Sequence, residues 1–486
     1  MRLGTLAARA GVALAEGGEA RVTGFAIDHR KVAPGTVFGA FQGMAVNGED
    51  FIPAAIAAGA VAVVARPQAR DAIVAGGACH IADAAPRRAF ARLAAQFFTP
   101  VPECIVAVTG TNGKTSVVEM TRQLWRMAGR RAASIGTLGV TTPDESVATG
   151  LTTPDIVTFL ANMSGLAREG VSHVAYEASS HGLAQFRNEG LRVAAGAFTN
   201  LSRDHLDYHA GMEDYFAAKM RLFDEVVAGD GVAVIWADNA WSDRAANHVR
   251  QRGLKLMSVG KAGEAIRLLS RQPSQLGQDL EIVHAGEAFT IYLPLIGAYQ
   301  AANALVAAGL VLATGGDPRE TFAALARLQP VRGRLERAAI SAMGAPVYVD
   351  YAHTPDALEA AIAALRPHAK GRLIVVFGAG GDRDRGKRPA MGRVAAAHAD
   401  AVIVTDDNPR GEDPAAIRAN VLAGAEGARE IGDRRTAIAV AIAEAGPDDI
   451  VLIAGKGHEQ GQIIGKGEAM RILPFDDVTV ARECAA

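Results

Sequence analysis

The segment Val108-Thr109-Gly110-Thr111-Asn112-Gly113-Lys114-Thr115-Ser116 decides how the rest of the chain is read. It follows the β-branched run Ile105 to Val108 and precedes a helical pattern that opens near Lys114. In that setting glycines let backbone N–H groups close around phosphate oxygens, and the start of the helix adds a favourable dipole. Lys114 is placed to reach the β- and γ-phosphates of a nucleotide, and Thr115 offers a hydroxyl to Mg²⁺. The general phosphate-loop pattern calls for glycine where Val108 stands, so only its second half is matched. Such a loop serves kinases, motors, switches and ligases alike; it predicts a nucleotide and leaves the reaction open.

Outward from this loop the chain alternates short apolar runs with Ala/Leu-rich helical stretches, the texture of parallel sheets covered by helices. The runs are Ile105 to Val108, Val171 to Ala175 and Val232 to Trp236, then Val347 to Val349, Leu373 to Phe377, Ala401 to Thr405 and Ile450 to Ala454. Breaks at Phe98-Thr-Pro-Val-Pro102 and at Gln329-Pro330 divide the chain into segments 1–100, 101–331 and 332–486. The expected fold is α/β in three domains: a small mixed N-terminal domain, a central parallel sheet of the phosphate-loop ATPase type, and a Rossmann-like C-terminal domain. Four polar loops, opening at Asp350, Gly378, Asp406 and Gly455, begin where strands should end. Open α/β sheets bind ligands outside the carboxyl ends of their strands, so a binding face is expected there.

Composition narrows the partners. The net charge of −2 over 486 residues argues against nucleic acid or an anionic membrane surface. Cys79, Cys104 and Cys484 lack paired spacing, which excludes a zinc or disulfide framework and suits a reducing cytosol. Arg9 interrupts the first apolar stretch, and the run Ala54 to Ala65 is too short to span a bilayer. A cytoplasmic chain with no export signal and no membrane insertion is expected.

Two further clusters carry metal-type chemistry. Glu177 follows a strand, where a nucleotide-bound Mg²⁺ finds a carboxylate ligand. The stretch Thr199 to His209 is dense in metal- and proton-binding groups, and His205 is the candidate ligand for a second Mg²⁺. Lys219 lies in a helical pattern with Phe216, Met220 and Phe223 on its apolar face.

Taken in order, the Thr109 to Thr115 loop, Glu177-Ala-Ser-Ser-His, Asn200 to His209, Tyr299-Gln-Ala-Ala-Asn-Ala, Gly333-Arg-Leu-Glu and Asp350-Tyr-Ala-His-Thr-Pro resemble the Mur ligases of peptidoglycan synthesis over essentially the whole chain. Within that family Asp407-Asn-Pro-Arg410 resembles the signature of enzymes that add meso-diaminopimelate to UDP-N-acetylmuramoyl-L-alanyl-D-glutamate. Diaminopimelate carries a distal carboxylate that lysine lacks, and Arg410 can hold a carboxylate in a bidentate fork. An arginine left without that partner disfavours lysine.

The resemblance implies an ATP-dependent amide ligase that works through an acyl phosphate, acting as a monomer. It places Gly110, Thr111, Asn112, Gly113, Lys114, Thr115 and Ser116 on the ATP phosphates. Asn303, Arg334, Asp350 and His353 fall near the nucleotide. Thr152, Thr153, Ser179, Gln185 and Arg187 fall on the UDP-linked substrate, and Arg383, Asp407, Asn408, Pro409, Arg410, Gly455 and Glu459 on the diamino acid. Thr115, Glu177, His205 and Lys219 become the ligands of two Mg²⁺ ions, with Lys219 carbamylated and Lys114, Lys219, Glu177 and His205 catalytic. His29 stands where the family commonly has serine on the uridine side, a departure that weakens the transfer of uridine contacts. Related builds remain as alternatives: a folylpolyglutamate synthetase, a lysine-adding Mur ligase, or a nucleotide switch or transport ATPase that forms no bond.

Overall fold

The computed structural model describes residues 1–43, 46–147, 152–205, 208–274, 276–382 and 384–486. The described chain divides into two compact units, one of Met1–Arg267 with Leu305–Thr321, the other of Leu268–Ala304 with Phe322–Ala486. No helix among the described residues is long and apolar enough to cross a membrane.

The first unit begins with a parallel sheet of Gly24–Ala26, Thr36–Gly39, Ala60–Ala65 and Cys79–Ala82, paired in that order. Alternation along Ala60–Ala65 explains its two covered faces. Ala62 and Val64 join Phe25, Phe41 and Phe90 on one side, while Val63 and Ala65 join Phe38, Ile52 and Ile73 on the other. The Phe90 ring meets Phe25 and Phe41 edge-on, each at 5.4 Å, and so anchors the helix Pro86–Phe97 to the sheet.

Next in this unit come six parallel strands in spatial order Lys255–Gly260, Val227–Trp236, Val193–Phe198, Cys104–Thr109, His173–Glu177 and Ala132–Gly136. The chain starts at Cys104–Thr109, passes on one side to Ala132–Gly136, returns to place His173–Glu177 between those two, then continues on the other side with Val193–Phe198. The order therefore reverses beside Cys104–Thr109, and a crevice opens at the strand ends there. Three segments leave at that point: the phosphate loop, Glu177, and Thr199 to His205. One expected strand is shifted. The run Val171 to Ala175 forms strand only from His173, continuing to Glu177, and the amides of Ser172 and His173 are both held by the carbonyl of Arg131, the residue just before the neighbouring strand Ala132–Gly136.

In the second unit, Gly277–His284 and Glu287–Leu293 form an antiparallel hairpin. A six-stranded sheet follows, with Glu336–Ile340 antiparallel at its edge and then Pro346–Asp350, Ile450–Ala454, Leu373–Phe377, Ala401–Val404 and Arg429–Glu430 in parallel. Leu373–Phe377 and Ile450–Ala454 are buried at every residue, as continuous apolar runs between two helical layers should be. Leu358, Ile362 and Met391 cover one face; Ile438, Ile442 and Val478 cover the other. The four loops singled out by sequence all leave the same edge of neighbouring parallel strands.

Candidate active site

Gly110 takes φ +150°, and a Cβ there would lie 1.9 Å from Thr199 Oγ1, so only glycine permits the phosphate loop to meet the strand-end segment. That segment straps the loop. Thr199 Oγ1 donates to the Asn112 carbonyl at 2.6 Å, Asn112 N donates to Asn200 Oδ1 at 2.9 Å, and Thr111 N to the Asn200 carbonyl at 2.9 Å. Lys114, first residue of the helix Lys114–Met127, folds back to donate to the carbonyls of Gly110 (3.0 Å) and Thr111 (2.8 Å). Thr115 and Ser116 are buried in the first turn behind it.

Lys219, on the helix Met212–Arg221, is fully buried and donates to the same Gly110 carbonyl at 2.8 Å. Burial first, and the nearby Lys114 charge second, drive its ammonium well below the ordinary lysine range. The Lys219 Nζ also lies 4.2 Å from the Tyr215 ring centre, and the His205 ring approaches the same tyrosine at 6.0 Å. Tyr215 Oη sits 3.2 Å from Thr111 Oγ1, joining this pair to the loop. Sequence reading passed over Tyr215, whose position in a helical apolar pattern signals only a core aromatic.

Glu177 ends its strand opposite Val108, the residue that enters the phosphate loop. Its Oε1 accepts from Thr137 N at 2.7 Å and its Oε2 from Thr137 Oγ1 at 3.2 Å. From there a connected network reaches every residue expected on the UDP-linked peptide. Thr137 Oγ1 meets Thr152 Oγ1 at 3.0 Å, and Thr153 Oγ1 donates to the Glu177 carbonyl at 2.9 Å and lies 3.0 Å from Ser179 Oγ. Arg187 donates to the Thr153 carbonyl at 2.9 Å and to Gln185 Oε1 at 2.7 Å. Gln185 in turn donates to Tyr208 Oη at 3.2 Å. Thr137 and Tyr208 bind this network together; Tyr208 falls in the Thr199 to His209 stretch without a role of its own there, and no spacing in the sequence marks Thr137.

These groups suit Mg²⁺ in kind. No three His, Cys, Asp or Glu side chains among the described residues form a ready-made metal cage. Mg²⁺ is ordinarily held by one or two protein oxygens with the remaining positions supplied by phosphates and water, and Thr115 and Glu177 provide such oxygens.

His29 lies elsewhere in the same unit. Its ring stacks on Phe51 at 4.4 Å with 5° between planes, lining a cleft of about 470 Å³ with Asp28, Arg30, Phe41 and Arg87.

In the second unit the four residues expected near the nucleotide gather at one turn. Asp350 Oδ2 accepts from Leu335 N at 2.7 Å and its Oδ1 from Ala352 N at 2.9 Å. Burial pushes this carboxyl up to about 6, against the pull of Arg334 and the two amides. The Arg334 guanidinium lies over the Tyr351 ring at 4.6 Å, and its carbonyl accepts from Gln300 Nε2 at 2.9 Å. Asn303 reaches Gln300 Oε1 at 3.4 Å, and His353 Nδ1 sits 2.9 Å from the Tyr351 carbonyl.

The Asp407 to Arg410 loop is held by a two-stranded ribbon, Gly461–Ile464 with Arg471–Pro474. Arg410 N donates to the Ile463 carbonyl at 3.0 Å, Gly465 N to the Arg410 carbonyl at 2.7 Å, and Gln462 Nε2 to the Asp407 carbonyl at 2.6 Å. Arg410 adopts φ +50°, a left-handed conformation that costs a non-glycine residue and persists because the ribbon pins both its amide and its carbonyl. Its Nη1 donates to the carbonyls of Gly381 (3.0 Å) and Asn408 (3.4 Å), the second of these leading directly into Pro409. Gly455 takes φ +118°, and a Cβ there would lie 2.6 Å from Asp407 Oδ2. Asn408 Nδ2 donates to Glu459 Oε2 at 2.7 Å. Arg383 lies outside the described residues.

Comparison with known proteins gives the chain a family. Residues 21–98 match "Mur ligase family, catalytic domain", 108–311 "Mur ligase middle domain", and 333–457 "Mur ligase, glutamate ligase domain". A protein of Zymomonas mobilis, UDP-N-acetylmuramoyl-L-alanyl-D-glutamate--2,6-diaminopimelate ligase, is 64% identical over 95% of this chain and 94% of its own length. A protein of the same name from Bradyrhizobium diazoefficiens is 54% identical over 94% and 93%. A solved structure of a ligase with that name superposes with a TM-score of 0.74 at 32% identity, covering 100% of this chain and 98% of that one. A folylpolyglutamate synthase of Mycobacterium tuberculosis shares the fold at a TM-score of 0.61 and 22% identity, covering 74% of this chain and 89% of that one.

Proposed function

The chain belongs to the Mur ligase family, and from that premise we propose that it is an ATP-dependent amide ligase adding meso-2,6-diaminopimelate to UDP-N-acetylmuramoyl-L-alanyl-D-glutamate in peptidoglycan precursor synthesis. The observation that carries the choice of amine is Arg410, held in a left-handed conformation at a parallel-sheet edge with only Nη1 engaged among the described residues. Its remaining donors match a carboxylate, which the distal end of diaminopimelate has and lysine lacks.

On this reading residues 1–100 receive the UDP-linked substrate, 101–331 the ATP and 332–486 the amino acid. The protein works as a cytoplasmic monomer. The amides from Gly110 to Ser116 and the helix N-terminus receive the phosphates, and Lys114 exchanges its loop carbonyls for phosphate oxygens. Asn303, Arg334, Asp350 and His353, all in the second unit, are the further residues this reading assigns to the nucleotide. Thr152, Thr153, Ser179, Gln185 and Arg187 orient the UDP-linked peptide, with His29 and Phe51 on the uridine side. Thr115, Glu177, His205 and a carbamate on Lys219 would hold two Mg²⁺ ions, which supply charge neutralisation between γ-phosphate and carboxylate. The neutral amine that burial favours at Lys219 is the form able to take up CO₂.

The substrate's glutamyl carboxylate attacks the γ-phosphorus, giving an acyl phosphate and ADP. A free amine of the diamino acid then attacks the acyl carbon, an amide forms, and phosphate leaves with the electron pair of the broken C–O bond. Arg383, Asp407 to Arg410, Gly455 and Glu459 orient that amine.

The test is product formation. ADP release should require the UDP-linked carboxylate and the amine together, with a UDP-tripeptide detected by mass. ADP release that ignores both would mark a plain ATPase and overturn the reading.

A further inference from the structure

The loop Gly455-Lys456-Gly457-His458-Glu459 follows the strand Ile450–Ala454, and its two glycines take φ +118° and +56°. Those turns aim Lys456 inward, where its side chain is 0% exposed. A buried ammonium is costly unless its protons and its charge both find partners. Here Lys456 Nζ donates to Asn408 Oδ1 at 2.9 Å and to Glu459 Oε2 at 3.1 Å, with Asp407 Oδ1 at 4.0 Å.

The partners are tied to each other as well. Asn408 Nδ2 donates to that same Glu459 oxygen at 2.7 Å, while Asn408 Oδ1 also accepts from Ile463 N at 2.9 Å. With two donors on one amide atom and an acceptor on the other, the orientation of Asn408 follows from its surroundings. Three residues that the proposed function assigns to the incoming amino acid thus converge on one lysine outside that set.

We infer that Lys456 is a positioning residue for the diamino acid, an inference that rests on the proposed function: it fixes the side chains of Asn408 and Glu459 and offsets one of the two carboxylate charges of Asp407 and Glu459. The pocket then presents one uncompensated negative charge to the substrate's ammonium groups, beside the positive charge of Arg410 for a carboxylate. Lys456 itself stays behind its partners and touches no reacting atom.

The experiment measures all three Michaelis constants for the full-length enzyme and for Lys456→Met and Lys456→Gln, with a thermal midpoint for each. In Lys456→Met the KM for diaminopimelate should rise about tenfold or more, the scale of a lost charge-assisted hydrogen bond. The KM values for ATP and the UDP-linked substrate should stay within about twofold, and kcat at saturating amine should change less than KM. Lys456→Gln keeps a donor without the charge; it should fall between Met and Lys, and it stands in if the Met variant does not fold. Equal rises in all three KM values with a lowered midpoint would reduce Lys456 to a structural role and overturn the inference, as would an unchanged KM for diaminopimelate. Absence of diaminopimelate turnover in the unmodified enzyme would instead strike the proposed function.

Discussion

Lys114 and Lys219 donate to a single acceptor, the Gly110 carbonyl oxygen, at 3.0 and 2.8 Å. Two ammonium groups on one oxygen repel, and the fully buried member gives way. Burial and that repulsion hold the Lys219 ammonium well below the ordinary lysine range, which favours the neutral amine that the proposed carbamate needs.

Lys219 should be required for turnover and sensitive to dissolved CO₂. Lys219→Ala is expected to lose at least about 100-fold in kcat. Stripping bicarbonate should lower wild-type activity, and its return should restore it. Its depressed value also makes the folded chain release a proton that the unfolded chain keeps. Stability should therefore rise with pH up to the ordinary lysine range and fall as pH drops. Lys219→Met should flatten that slope and raise the thermal midpoint at neutral pH by about 2 °C. A destabilised Met variant at neutral pH would contradict this.

Lys114→Ala should abolish phosphoryl transfer, by about 1,000-fold or more in kcat, while leaving the thermal midpoint nearly unchanged. The bonds of its Nζ to the Gly110 and Thr111 carbonyls lie within its own loop and are replaceable by water, so little folding energy is at stake in them. Trapping the acyl phosphate with hydroxylamine reads the step directly, and an undiminished yield would remove Lys114 from the chemistry.

Arg410→Ala should weaken diaminopimelate by about 10- to 100-fold in kcat/KM, the scale of a charged bidentate contact. L-lysine, which offers that arginine no carboxylate, should lose far less or gain. Parallel kinetics with the two amines check it; equal losses for both would place Arg410 outside amine selection.

Asp350, pushed up to about 6, holds a proton in the folded chain between pH 4 and 6 that the unfolded chain has released. Its contribution to stability is present at the acid end, is lost as pH rises through that window, and is level above it. The slope is worth about 3 kcal/mol in all. Asp350→Asn should remove it and, by setting an amide N–H against Leu335 N or Ala352 N, cost about 1–3 kcal/mol. The gap in thermal midpoint between wild type and variant should therefore widen from pH 7 to pH 4.5. A constant gap would show that the carboxyl is already ionised at the acid end.

The parts of the site that the sequence displays are those built from consecutive residues. The phosphate loop, Glu177 at a strand end and the four loops of the second unit are local patterns, and the sheet order places each on a carboxyl edge. What escaped reading is joined across distance. Thr137 binds Glu177 from 40 residues away, and the 461–474 ribbon captures Arg410 through backbone bonds that any side chain would permit. Lys456 reads as one more polar loop residue, since only the folded loop shows that it points inward. The strand expected from Val171 begins at His173, where the Arg131 carbonyl, 41 residues away and invisible to periodicity, claims the amides of Ser172 and His173.

The most direct test is a competition. The enzyme is given ATP, UDP-N-acetylmuramoyl-L-alanyl-D-glutamate and equimolar meso-diaminopimelate and L-lysine, and the products are separated by mass. A UDP-tripeptide containing diaminopimelate, with little or no lysine product and one ADP per amide formed, is the predicted result. A predominant lysine product would contradict the role given to Arg410, and ADP without any amide would contradict the ligase itself.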